Sequence, residues 1–407
     1  MKRFLALGSA LLITSCIDSS TNVIRPDTGP VDSGPSIDAS AQTSADDVRR
    51  VLANVGGNVI LPTLREFATR ARALEAATAA YQTSLTDADR DAARAAWRNA
   101  MDMAQRAEVY QLGPAAPADA TAPGGTGIRD EIYSWPLVNR CRVDQETVDP
   151  SHASTDTLRV EAINTRGLST IEYLLYEPSL SNGCPATISI NSMGTWAALG
   201  DMGVRANRAR YAHNAAILVR ERADELVTAW ETDFLTQLST AGSGSRVYAT
   251  AQDGLNALSD AMFYLEAPGR DLKLGVPSGV MDCTMASCPD MIESLWADVS
   301  RENILANIRA FRSAYLGGEP GLDGQGFDDL LRTVGANELD SSMQRAIQGS
   351  LNAVDAIEGP LGDAVRNRNA TVVAAYDAIS VLVRLMKTEF VTVLDLELPM
   401  HVEGDND

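Results

Sequence analysis

Along residues 59–81, Leu64, Phe67, Ala71, Leu74 and Tyr81 recur at spacings of three, four and seven with charged residues between them, which predicts an amphipathic helix. Pro62 falls in its expected first turn, where a missing N–H costs little. Thr86 and Asp89 read as a capping start for a second helix, in which Trp97, Met101, Ala104 and Glu108 share one stripe. A run of Pro, Ala and Gly over residues 113–126 then breaks the pattern and reads as a loop. Helical periodicity resumes over 205–238, 247–265, 291–315, 339–357 and 369–394. Only Thr187 to Ile190 suggests a short extended piece, so the pattern predicts an all-α fold. Gly242-Ser243-Gly244-Ser245 is the most linker-like stretch within it, and divides an N-terminal helical bundle, 46–240, from a C-terminal one, 241–399. A polar tail, 400–407, follows.

Composition sharpens this picture. Of the 407 residues, 45% are hydrophobic but only 5% aromatic, and alanine is abundant, which favours helices packed closely through small side chains. The chain opens on Met1-Lys2-Arg3 and an apolar run from Phe4 to Ile13, too short to span a bilayer, so residues 1–15 are expected to be a signal peptide. Thr14-Ser15-Cys16 resembles a lipobox, which makes Cys16 the expected acylated N-terminus, held stably because each buried methylene contributes about 0.8 kcal/mol. Ile17 rather than Asp follows it, which favours the outer membrane as the expected location. Residues 16–45, rich in Ser, Asp, Pro, Gly and Thr, lack the apolar surface needed to offset the entropy of ordering and form a tether.

The net charge of −20 repels nucleic acid and anionic headgroups, so neither is an expected partner beyond the lipid anchor itself. It could gather metal cations weakly, and it also serves solubility. With Cys16 set aside, four cysteines remain. In an oxidising compartment, pairing of neighbours joins Cys141 to Cys184 and Cys283 to Cys288, stabilising by roughly 4 and roughly 2 kcal/mol on loop-closure grounds. A zinc site of four thiolates is the alternative, although the CxxC spacing that it usually needs is missing.

Four phrases carry a resemblance. Ala92 to Trp97 running into Glu108-Val109-Tyr110-Gln111-Leu112-Gly113-Pro114, then Ile132-Tyr133-Ser134-Trp135-Pro136, then Arg166-Gly167-Leu168-Ser169-Thr170-Ile171-Glu172-Tyr173, and finally Lys273-Leu274-Gly275-Val276-Pro277-Ser278-Gly279 with Glu293-Ser294, are similar in kind and order to blocks of the imelysin family. The resemblance covers nearly everything after the tether. It implies a periplasmic or surface-exposed protein whose two helical bundles face each other across a cleft. It also implies peptidase activity, iron uptake, or metal and ligand binding, without choosing among them. The family signature GxHxxE would place His and Glu on one helical face, where they could share a divalent or ferric ion. Here the corresponding residues are Gly167, Ser169 and Glu172, so the histidine is missing.

A neutral imidazole is a strong ligand for a transition metal and a serine hydroxyl a poor one, so Ser169 with Glu172 should hold zinc or ferrous iron weakly, leaving oxygen-preferring cations or no metal. The three histidines, His152, His213 and His401, form no HExxH arrangement, which argues against metallopeptidase chemistry. Glu172 in an apolar helix needs a partner, either a cation, an arginine such as Arg166, or a helix end to cap. Glu108 is expected near the same cleft, and two converging carboxylates would raise one another's pKa unless a cation or arginine stood between them. Trp135 walls the cleft or packs in the core, Ser169 lacks a neighbouring base that would make it a nucleophile, and Glu293 with Trp296 contributes to the cleft or to a helix start. The expected function is a lipid-anchored protein binding metal or a small ligand at the cell surface, in iron acquisition with unidentified envelope transport partners. The alternatives are a metal-dependent peptidase using Glu172, or a surface interaction module.

Overall fold

Ser44 and Asp47 exchange side-chain and backbone hydrogen bonds in a capping box, which starts α1 (Ala45–Asn54) at the end of the tether. The computed structural model describes residues 43–118, 122–319, 321–322 and 324–399. The signal peptide, Cys16, the tether up to residue 42, His401 and the polar tail lie outside the described residues.

From α1 the chain runs through a π-helical turn, Val55–Ile60, into α2 (Leu61–Ser84). Pro62 is the second residue of α2 and so lies in its first turn, as expected, although the helical run from α1 is continuous through it. Val48, Val51, Leu52 and Val55 extend the buried stripe upstream, and the turn widens just before Pro62, with the Leu61 N–H reaching back to the Gly56 carbonyl. Thr86 caps α3 (Asp87–Glu108) by accepting from the Asp89 N–H, and Trp97, Met101, Ala104 and Glu108 are buried on one stripe. All ten residues of α4 (Gly167–Tyr176) are buried, as befits a helix apolar nearly all round.

The long helix α5 (Thr195–Ala229) starts ten residues before the periodic pattern, with a kink at Gly200, and continues through a π turn to Ser239. After it come α6 (Ala251–Met262), a π-helical segment Glu266–Gly275, α7 (Ser300–Tyr315), α8 (Asn337–Asp355) and α9 (Asn369–Leu385).

Thr187 to Ile190 is not extended: a turn leads into the short helix Ser189–Ser192, where Ile190 packs with Trp196 and Val204, and the described residues contain no strand. The helix expected from residue 291 begins only at Ser300. Residues 294–299 form an irregular turn with Ser294 and Asp298 at φ 49° and 55°, so Glu293 and Trp296 do not share the face of a helix start.

Helices α2, α3, α4 and α5 pack together, as do α7, α8, α9 and the segment Glu266–Gly275. The two groups meet where α3 lies on α7, and α1 packs on α6 beyond the Gly242–Ser245 turn. One hydrophobic cluster runs from Val48 to Leu394 within a single compact unit. Asn369–Val393 is long and apolar enough to cross a membrane by length and composition, but Val372, Ala375, Ile379, Leu382 and Val383 point into this core. Disulfides join Cys141 to Cys184 and Cys283 to Cys288, the pairing of neighbours, so none of the four is a free thiolate for zinc.

Candidate functional site

Where α3 meets α7, buried polar side chains from five segments converge. Glu293, fully buried, sits at the centre. Its Oε1 accepts from the Tyr133 hydroxyl at 2.6 Å, the Gln105 amide at 2.9 Å and Lys273 Nζ at 3.1 Å, and its Oε2 accepts from the Asn303 amide at 2.9 Å. Lys273, also fully buried, donates in turn to Gln105 Oε1 at 2.5 Å and Asn307 Oδ1 at 2.7 Å, so all three ammonium protons are engaged. Burial lowers the Lys273 pKa while Glu293 opposes that shift, and burial followed by Glu293 raises the Tyr133 pKa well above its ordinary value. Aromatic faces complete the cage, with Nζ 5.3 Å from the Tyr264 ring centroid and 5.9 Å from that of Trp135. The Trp135–Pro136 peptide bond is cis.

Glu108 and Glu172 flank this centre without sharing a partner. The Arg129 guanidinium grips both oxygens of Glu108, Nε at 2.9 and 3.0 Å and Nη2 at 2.6 Å, and the Tyr264 hydroxyl donates to Oε2 at 3.2 Å. Glu172 Oε1 accepts from the backbone N–H groups of Trp296 and Ala297, each at 3.0 Å. Burial pushes the Glu172 carboxyl up to about 8; those two N–H groups oppose the shift and the charge of Glu293 adds to it. The neighbouring carboxylate that acts on Glu172 is thus Glu293, not the expected Glu108. Arg166 does not reach Glu172 either: it donates to Glu131 at 2.9 Å and to the Arg159 carbonyl. Glu172 instead caps the irregular turn ahead of α7, which accounts for the late start of that helix.

The signature glycine is needed by the fold. Gly167 has φ +81°, and a Cβ there would stand 2.6 Å from the Ile132 carbonyl oxygen, so its absence lets α4 lie against the segment that carries Tyr133. Ser169, one turn before Glu172, is buried, and its Oγ has no hydrogen-bond partner among the described residues. No base approaches it. His152 bonds backbone carbonyls of Glu146 and Asp149, and His213 lies 3.4 Å from the Thr78 hydroxyl, both apart from this cluster. Among the described residues no group of three or more His, Cys, Asp or Glu side chains could hold a metal ion. The donor set does not fit a transition ion: of the signature pair one member is a hydroxyl and the other a carboxyl committed to backbone amides, while the neutralising cations beside the carboxylates are Lys273 and Arg129.

Sequence reasoning named Glu108, Trp135, Glu172 and Glu293 and missed Lys273, Gln105, Asn303, Asn307 and Arg129. Lys273 and Tyr133 both lie inside the family-like phrases, and Gln105 is one residue from the apolar stripe of α3. Those were the available signals, but only the tertiary contact of α3 with α7 turns them into one network.

The imelysin family profile matches residues 60–386. No curated protein sequence matches the chain. Among solved structures, the chain is similar to a putative iron-regulated protein A precursor from Parabacteroides distasonis ATCC 8503, at TM-score 0.69 and 17% identity, over 86% of this chain and 97% of that one. It is also similar to an imelysin-like protein from Psychrobacter arcticum 273-4, at TM-score 0.67 and 16% identity, over 88% and 99% of the two chains. At those identities the likeness shows the fold, and the profile, spanning most of the sequence, supplies the family. From the ordered blocks of α3 and α4 to the buried Lys273–Glu293 centre that they enclose, the chain belongs to the imelysin family.

Proposed function

We propose that this imelysin-family protein is a lipid-anchored binding protein of the outer membrane, without peptidase activity, that takes up a metal-bearing or other small ligand in iron acquisition. The observation that carries the reading is the condition of the signature pair. Ser169 offers an unpaired hydroxyl where the family has an imidazole, and Glu172 is committed to two backbone N–H groups. A site that activates water on a metal needs several strong donors and an open position, and this cluster offers neither. The similar Parabacteroides distasonis protein is described as iron-regulated, which supports the iron context by fold alone. The lipobox-like sequence ending at Cys16 supports the anchor.

The test is metal analysis of the exported protein together with peptide cleavage, with and without chelator, in the wild type and in Glu172→Gln. The expected result is no chelator-sensitive cleavage. Cleavage that disappears both with chelator and in Glu172→Gln would overturn the reading in favour of a metal-dependent peptidase. Ferric iron and zinc are also added in thermal unfolding, because any ligand held only by the folded state stabilises it, by about 2.7 kcal/mol at a hundred times its Kd. Anchoring is tested separately: Cys16→Ser should move the protein to the soluble fraction, and unchanged membrane fractionation refutes acylation.

A further inference from the structure

At the opposite end of α4 from Ser169, the chain forms a concave pocket of about 290 Å³ whose lining is out of keeping with its net charge of −20. Four arginines line it: Arg90 and Arg94 from α3, Arg205 and Arg208 from α5. One carboxylate does, Glu177, and it already accepts from the Trp296 indole N–H at 3.0 Å. Tyr81, also part of the lining, lies close enough to Arg90, Arg94 and Arg205 for all three charges to act on its phenol. Leu174, Leu175, Pro178 and Leu180 supply apolar wall.

The arginines are only partly compensated. Arg90 and Arg94 each meet one exposed aspartate on their own helix, Asp87 and Asp91, at 3.0 Å, pairs that are worth little in water, and Arg94 Nε also donates to the Leu175 carbonyl at 2.8 Å. Arg208 is 4% exposed and held rigidly, donating to the carbonyls of Ser179 and Ser181 and lying over the rings of Tyr173 and Trp196. Its one carboxylate neighbour, Asp144, stands 3.6 Å away, and burial pushes that acid toward its neutral form. Buried Nε atoms of both Arg90 and Arg208 have no acceptor among the described residues. Arg205, half-buried, lines the pocket and makes no hydrogen bond or ion pair with any of the described residues.

We propose that this pocket binds a small polyanion, a di- or tricarboxylate or a phosphate-bearing molecule, gripped by the forks of Arg205 and Arg90 with Arg208 as the fixed wall. Planar guanidinium groups suit oxyanions because each can donate two parallel hydrogen bonds to one carboxylate or phosphate. The apolar wall suits a ligand with a short carbon body. None of these pocket residues belongs to the Lys273–Glu293 centre.

The intact chain is titrated with citrate and, separately, with inorganic phosphate at low ionic strength, by calorimetry and by thermal midpoint. Variants are Arg205→Gln and, as a charge-matched control, Arg210→Gln, which is exposed on the same helix outside the pocket. Saturable binding of at least one anion, weakened about tenfold or more in Arg205→Gln but not in Arg210→Gln and falling with added salt, is expected. Preference for citrate assigns a carboxylate ligand, and preference for phosphate assigns a phosphorylated one. Binding of neither anion, or equal loss in both variants, overturns the proposal. Because Arg205 has no partner to lose among the described residues, its variant should keep the wild-type circular dichroism and midpoint without ligand.

Discussion

Replacing Glu172 by Gln keeps the shape of the side chain and leaves an oxygen to accept from Trp296 and Ala297, but removes the proton-binding site. In the folded wild type, burial raises this carboxyl from 4.5 to about 8. A raised folded-state value means that the contribution to stability is complete below the ordinary carboxylate range and is lost as pH rises toward 8, because the unfolded chain gives up its proton first. Linkage costs about 1.4 kcal/mol per pH unit across that window, so the full loss approaches 5 kcal/mol as an upper figure for so buried a group. The measurement is denaturant unfolding of wild type and Glu172→Gln at pH 5, 7 and 9 with the slopes held in common. The variant should differ from wild type by about 1 kcal/mol or less at pH 5 and be more stable by several kcal/mol at pH 9. Asp144, Asp260, Glu266 and Asp328, whose values are also raised by burial, act on both proteins alike and cancel in the difference. A stability difference that stays flat from pH 5 to pH 9 would refute burial as the force acting on Glu172.

Lys273→Met should destabilise the fold by about 3 to 5 kcal/mol, because it leaves the fully buried Glu293 without its cation, and the double variant Lys273→Met/Glu293→Gln should recover much of that loss in the same unfolding assay. Ser169→Ala deletes a buried hydroxyl that bonds to none of the described residues, so its thermal midpoint should be unchanged or slightly raised; a loss above about 1 kcal/mol would mean that the hydroxyl has a partner. Replacing Cys141 and Cys184 by Ser should cost about 4 kcal/mol against about 2 for Cys283 and Cys288, since the first bridge closes 43 residues and the second 5, and equal costs would count against the loop-entropy account.

Local physics was legible along much of the chain. The three-and-four spacing of Leu64 to Tyr81, the Thr86 cap and the stripe from Trp97 to Glu108 depend on neighbours within a turn or two, and the structure keeps them. The all-helical fold followed from the same kind of reading, the disulfide pairing from the even count of neighbouring cysteines, and the family from ordered phrases that resemble its blocks. Where expectation failed, a distant group had changed the local outcome. The helix that periodicity starts at residue 291 begins at Ser300, because the irregular turn before it presents its N–H groups to Glu172, more than a hundred residues upstream in the chain.

The candidate site divides along the same line. Sequence alone established that a histidine is missing beside Glu172, since residue identity at position 169 needs no coordinates. Which charge answers each carboxylate was settled only by the packing of α3 against α7, which seals Lys273 with Glu293, leaves Arg129 to Glu108, and turns Glu172 toward backbone amides. A buried charge must find its partner wherever the fold places one, and that partner is set by distance in space, which periodicity and composition do not encode.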